Sequence, residues 1–116
     1  GGSSAIRAVG DNRYVIPRQE AEKARSNINE LLKQARLEPN IIDGQTRGFA
    51  VRMIRPGSFF ANLGLHLGDV VMQVNGVPLD TPEKALQIVQ QLRESRHIAL
   101  GLERNGAPMS LEYDLE

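Results

Sequence analysis

Apolar side chains recur in two different periods along this chain, and the change of period divides it. From Pro17 to Arg36 they fall at Ala21, Ala24, Ile28, Leu31, Leu32 and Ala35, at spacings of three and four that make one face of an amphipathic helix. Pro17 suits the first turn of such a helix and Pro39 stands just beyond its end, so the spacing predicts a helix over 17–36. Further on the period drops to two. Phe49, Val51 and Met53 alternate with Ala50, Arg52 and Ile54, which predicts a strand ended by Pro56-Gly57.

The remaining segments read as shorter elements. Residues 1–13 are small or polar and are expected to be a loose lead-in, with Gly1-Gly2-Ser3-Ser4 resembling a cloning scar; the ordered domain is expected over 14–116. Tyr14-Val15-Ile16 is a β-prone run stopped by Pro17. Asn40–Thr46 reads as a loop with a turn at Asp43-Gly44. Ser58–Leu63 forms a short helix capped by Ser58 and stopped at Gly64. Asp69–Asn75 is a strand, and Asn75-Gly76 turns the chain into Val77-Pro78-Leu79. Thr81-Pro82-Glu83 combines a hydroxyl cap, a first-position proline and an early acid, which together open a helix over 82–94. Strands His97–Arg104 and Pro108–Leu115 close the chain around Asn105-Gly106. This order predicts an α+β fold, helices packed on a partly open antiparallel sheet.

Composition narrows the function. The 116 residues suit one domain, and the absence of cysteine removes disulfides, thiolate nucleophiles and zinc ribbons. Fourteen basic residues balance fourteen acidic ones, without the basic excess of a nucleic-acid binder. The alternating charges Arg18, Glu20, Glu22, Lys23 and Arg25 read as a solvated helix face. No apolar run approaches the roughly 18 residues of a membrane span. His66 and His97 lack metal-ligand spacing, the serines lack a nucleophile-elbow context, and no phosphate loop is present. Asp69, Asp80 and Glu83 have turn, cap or dipole explanations. No reaction and no cofactor are expected.

The segment Pro56-Gly57-Ser58-Phe59-Phe60-Ala61-Asn62-Leu63-Gly64-Leu65-His66-Leu67-Gly68-Asp69-Val70-Val71, with its continuation Val74-Asn75-Gly76-Val77-Pro78-Leu79, resembles the PDZ family in its bacterial arrangement. The flanks Tyr14–Arg18, Leu31–Arg36, Thr81–Leu86, Leu100–Gly106 and Leu111–Tyr113 resemble one subfamily, protein C of the bacterial type II (general) secretion pathway. The resemblance covers Tyr14 to Leu115. It implies a PDZ-like sheet or barrel capped by helices, with an additional N-terminal helix. It also implies a periplasmic domain of a protein anchored in the bacterial inner membrane. The partners it implies are other secretion-system subunits or exported proteins; neither nucleic acid nor membrane contact is expected of this fragment, and a weak homodimer is a further expectation.

PDZ domains bind extended peptides as an added strand. The resemblance and the alternation together place the receiving strand at Phe49–Ile54, facing the helix 82–94. The loop Thr46-Arg47-Gly48-Phe49 is the candidate for carboxylate capture, although it keeps only the last glycine and apolar residue of the family's loop. The expected groove comprises Arg47, Gly48, Phe49, Ala50 and Val51 with Ala85, Ile88 and Leu92. The last three fall within about 60° of each other on a helix, which leaves Leu86 and Val89 for the core. This division implies that Ile88→Asp weakens binding and spares the fold. Phe59 and Phe60 point about 100° apart on a helix, so either one is exposed as a contact or both are partly buried. Two other functions stay open: the regulatory peptide-binding domain of a periplasmic protease, and a spacer or dimerisation domain with a vestigial groove.

Overall fold

Three tight turns set the frame. Asp43-Gly44, Asn75-Gly76 and Asn105-Gly106 all take positive φ at both positions (51° and 76°, 50° and 79°, 54° and 79°), the backbone of a type I′ hairpin turn whose twist matches its flanking strands. The computed structural model describes residues 5–116. Gly1-Gly2-Ser3-Ser4 lie outside the described residues, as do the side chains of Pro82, Ala85 and Val89.

The described chain runs β1 (Arg7–Gly10), β2 (Arg13–Ile16), α1 (Arg18–Ser26), α2 (Ile28–Leu32), β3 (Ala35–Ile42), β4 (Gln45–Ile54), α3 (Phe59–Asn62), β5 (Val70–Val74), β6 (Val77–Pro78), α4 (Pro82–Leu92), β7 (His97–Arg104) and β8 (Ala107–Leu115). The sheet order is β1-β2-β8-β7-β5-β4-β3, with β6 beside β5. Only β2 and β8 pair in parallel; every other pairing is antiparallel. The sheet is open, with β1 and β3 at its two ends.

Local chemistry explains the helices. Ser58 Oγ accepts from Ala61 N at 3.2 Å and caps α3. Thr81 Oγ1 accepts from Lys84 N at 3.2 Å and caps α4, with Pro82 in its first turn. Both caps follow the expectation. The N-terminal helix does not run to Arg36. It breaks at Asn27 (φ −128°, ψ 42°) and ends at Leu32. Before the break, Ser26 Oγ donates to the Glu22 and Lys23 carbonyls and Asn27 Nδ2 donates to Lys23, side-chain bonds that compete with the helical ladder.

Two strands depart from the expected layout. Part of the expected lead-in is the hairpin β1–β2, turned at Asp11-Asn12 with Asn12 at φ 58°. The expected helix end and loop over 35–42 form β3, paired with β4 from Ala35↔Ile54 to Ile42↔Gln45. Pro39 lies in β3, where the edge position leaves one side of the strand free of a ladder.

The core gathers under the sheet centre. Val51, Leu102 and Leu111 are almost sealed from solvent, and Val71, Val74, Ile88 and Tyr113 join them. Asp69 is buried with them, 1% exposed. Arg104 Nε and Nη2 donate to its two oxygens at 2.8 Å each, and His66 N donates at 2.8 Å. Arg104 Nη2 also donates to the Gly64 carbonyl at 2.9 Å, tying the end of α3 to β7. Burial opposes the charge on Asp69, but the Arg104 hydrogen bonds, the His66 N–H and the Arg104 charge outweigh it and hold the carboxyl below the usual aspartate value of 3.8. Asp69 is therefore a folding anchor. Gly64, at φ 88°, leaves room for Tyr14, whose hydroxyl a Cβ would meet; Tyr14 in turn stacks on Tyr113 at 5.6 Å.

Candidate functional site

Strand addition needs an unpaired backbone edge, and that edge is not on the expected strand. β4 pairs with β3 along its length and with β5 at Phe49↔Val71 and Ala50↔Val70. Val51 N donates to Asp69 O at 2.8 Å on the same side. Ala50 and Val51 are buried, Phe49 is half-buried and packs on the core, and of the expected strand residues 47–51 only Arg47 is exposed. The receiving strand at Phe49–Ile54 is thus corrected: β3 occupies the side of β4 that a peptide would need.

The expected carboxylate loop is also a strand. Gln45 and Thr46 pair with Ile42 and Ile41, and Asn40 Nδ2 donates to the Arg47 carbonyl at 3.1 Å. Gly48 N already donates to Leu79 O at 3.1 Å. Gly48 is required for a different reason: at φ 77°, a Cβ there would press on the Val71 carbonyl and on Met72 Sδ. It lets β4 approach β5, and its N–H is spent.

The helix residues divide differently from expectation. Ile88 is 4% exposed and belongs to the core, so the expected neutrality of Ile88→Asp toward folding is corrected. Leu86, expected in the core, is 61% exposed. The side chains of Ala85 and Val89 lie outside the described residues. Of the two described members of the helix trio, Ile88 and Leu92, Leu92 faces an opening.

That opening is an apolar cavity of about 630 Å³. One wall is Ala24 and Ile28 from α1 and α2; another is Leu92 from the end of α4; Leu37 of β3 stands at its rim. Its floor comes from β5, β7 and β8, with Val71, Leu100 and Leu115 among its residues. Phe59 and Phe60 both line it, half-buried and edge-to-face at 5.9 Å, which decides between the two arrangements left open. Tyr113 also lines it, but its hydroxyl donates to Leu63 O at 2.6 Å; burial pushes the Tyr113 pKa upward.

The open edge is β3. Its inner side pairs with β4 and its outer side has no strand neighbour among the described residues. Leu37 brings this edge to the cavity. Periodicity missed β3 because Pro39 and the charges Arg36 and Glu38 interrupt it; the Asp43-Gly44 turn, flanked by Ile41-Ile42, was the signal for a second hairpin strand.

An open, mostly antiparallel sheet with a few short helices is a PDZ-like arrangement, and the comparisons agree. A family model described as PDZ domain matches residues 51–104. The chain has a PDZ-like fold and matches type II secretion system protein C in both sequence and structure. It is 29% identical over 100 residues to the Type II secretion system protein C of Klebsiella pneumoniae, covering 85% of this chain and 35% of that protein. It is 33% identical over 70 residues to the periplasmic pH-dependent serine endoprotease DegQ of Escherichia coli, covering 60% of this chain and 15% of that one. The chain therefore spans about a third of the first relative and far less of the second. Among solved structures, the PDZ domain of EpsC from Vibrio cholerae superposes with a TM-score of 0.62 at 25% identity, covering 80% of this chain and 89% of that one. The PDZ domain of the Klebsiella pneumoniae pullulanase C protein of the type II secretion system, solved with a fatty acid, gives 0.59 at 24%, covering 82% and 98%.

Proposed function

We propose that this chain is a non-catalytic docking module that accepts an extended segment of a partner protein along the outer edge of β3, in the inner-membrane component of a type II secretion machine. The observation that carries this reading is the edge itself: eight residues of β3, Ala35–Ile42, with one side unpaired and Leu37 at the mouth of the cavity. Main-chain bonding supplies affinity that is largely independent of sequence, and side-chain pockets select. The other sheet end, β1, is four residues long and exposed throughout, a poorer template. Donors that could form a carboxylate nest before β3 are engaged, since Lys33 N bonds Glu30 O and Gln34 N bonds Leu31 O. An internal segment therefore fits this edge better than a free C-terminus. The secretion assignment, with a periplasmic location and secretion subunits or exported proteins as partners, is supported by the sequence and structural likeness to protein C domains.

The test is amide hydrogen exchange with the best binder from a peptide-display selection. Amides of β3 that do not pair with β4 are expected to gain protection on binding. Protection at β1 instead, or no protection in the sheet, overturns the reading. The likeness to DegQ supports a second reading, a peptide-binding regulatory domain of a periplasmic protease. Comparing affinities for periplasmic domains of the secretion apparatus with those for unfolded polypeptides separates the two.

A further inference from the structure

The bonds on the inner side of β3 fix which of its backbone groups face outward. In the pair Leu37↔Val51, both backbone groups of Val51 are engaged on the far side of β4, where its N–H donates to Asp69 O at 2.8 Å and its carbonyl accepts from Gly68 N at 2.9 Å. Opposed residues of an antiparallel ladder share one bonding state, so the N–H and C=O of Leu37 point away from β4. Gln34 O accepts from Arg55 N at 2.9 Å, on the β4 side. The period of two therefore turns Ala35 outward, and Pro39 with it. At the first irregularity the extra residue is Arg52, on β4, which leaves the β3 edge unbroken from Ala35 to Pro39. Arg36, Leu37 and Pro39 are exposed along it.

Charges and proline ordinarily blunt such an edge, but these charges do not. Arg36 and Glu38 lie on one face, paired at 2.8 Å, and this order of opposite signs complements itself when the strand is reversed. A two-fold axis sets one β3 residue opposite its own copy. Centred on Arg36 or Glu38, it brings like charges together; centred on Pro39, it aligns two nitrogens that carry no proton. Centred on Leu37, it places Arg36 opposite Glu38 of the second copy, twice over. Leu37 then exchanges N–H···O bonds with its counterpart, and Ala35 N–H reaches the Pro39 carbonyl, so Pro39 needs no donor. We infer that two copies of this chain pair antiparallel along β3 about Leu37. The paired stretch, 35–39, is far shorter than the roughly 20–30 residues a side of a stable interface, so the pairing is weak and reversible. Its consequence rests on the docking reading: the same outward groups cannot hold a second copy and a partner segment, so self-pairing closes the edge until a segment displaces it.

The test is sedimentation equilibrium up to about 1 mM chain, with cross-linking to fix the register. Reversible dimerisation is expected. The chain has no cysteine, so an introduced one reports its own position. Leu37→Cys is expected to form a disulfide-linked dimer in a glutathione redox buffer, because Cα atoms of a bonded antiparallel pair lie about 5.5 Å apart, within disulfide reach. Ile41→Cys, more exposed than Leu37 (64% against 40%), is expected not to cross-link, since its counterpart lies far along the strand. Arg36→Glu and Glu38→Arg should each weaken dimerisation about tenfold, and the double swap should restore it. Saturating peptide from the display selection should return the chain to monomer. A monomer at every concentration overturns the inference and leaves docking at β3 standing. A dimer indifferent to both charge reversals, or cross-linked equally through Ile41→Cys, overturns it too. A dimer with the expected cross-link that persists in saturating peptide upholds the self-pairing and removes the docking reading.

Discussion

Around Asp69 a carboxylate accepts three hydrogen bonds, and Val51, Leu102 and Leu111 in the same group of strands are sealed from solvent. Around the cavity, large apolar side chains stay half-exposed, the N-terminal helix breaks at Asn27, and Arg25 and Arg93 face solvent with no ion-pair partner among the described residues. One region has nothing left to bind, whereas the other has unfilled volume, an unpaired strand edge and uncompensated charge. The two regions meet at Val71, Val74 and Tyr113, which are buried in the core and also line the cavity. The motif from Pro56 to Gly76 contributes to both, Asp69 to the first region and Phe59, Phe60 and Val71 to the second, and α1, α2, β3 and α4 complete the second.

The sharpest way to break this contrast is to remove the anchor. Arg104→Gln strands the Asp69 carboxylate, 1% exposed, without its bidentate partner. A cost of about 3–5 kcal/mol is expected, read as a lowered urea midpoint. Asp69→Asn combined with Arg104→Gln should recover part of that loss. A cost within about 0.5 kcal/mol, as for an ordinary surface change, would show that the pair does not hold the domain together.

A second comparison lies within α4. Ile88→Ala removes a buried side chain from the core and is expected to cost about 2–4 kcal/mol. Leu86→Ala alters a side chain that is 61% exposed and is expected to stay within about 0.5 kcal/mol. Similar costs for the two, measured by denaturant unfolding, would mean that the helix is rotated from the face described.

This helix also shows why the fold was legible and the site was not. Turn chemistry at Asn75-Gly76 and Asn105-Gly106, and the caps Ser58 and Thr81, act over three or four residues, so a local pattern reveals them. Helical periodicity gives the width of an apolar stripe but not which edge meets the sheet; hence Ile88 and Leu86 exchanged places. The receiving strand failed for a similar reason. The alternation over Gly48–Ile54 correctly marks a strand but is silent about its neighbours, and whether β4 or β3 forms the edge depends on a hairpin hidden by Pro39. The cavity depends on how α1 and α4 stand over the sheet, which no local pattern encodes. The pair Asp69–Arg104, 35 residues apart, is equally non-local; the donors Arg104 and His66 N, not burial, are what an acid after Gly68 answers.

The smallest expected effect comes from acid. The folded-state pKa of Asp69 lies below 3.8, so its contribution to stability is complete at neutral pH and fades as pH falls below about 4 toward that lower value. Asp114, depressed by its hydrogen bond from His97, has the same sign, but it is exposed at the surface. Acidification should cost less than Arg104→Gln because a protonated Asp69 is neutral and still accepts from Arg104, whereas the substitution leaves a buried charge. Urea midpoints between pH 7 and pH 3 should therefore decline in the native chain and decline less in Asp69→Asn. An Arg25→Gln, Arg93→Gln variant should follow the native slope, since its changes lie in the open region. A slope unchanged by Asp69→Asn would assign the acid sensitivity to surface carboxylates and separate stability from the buried pair.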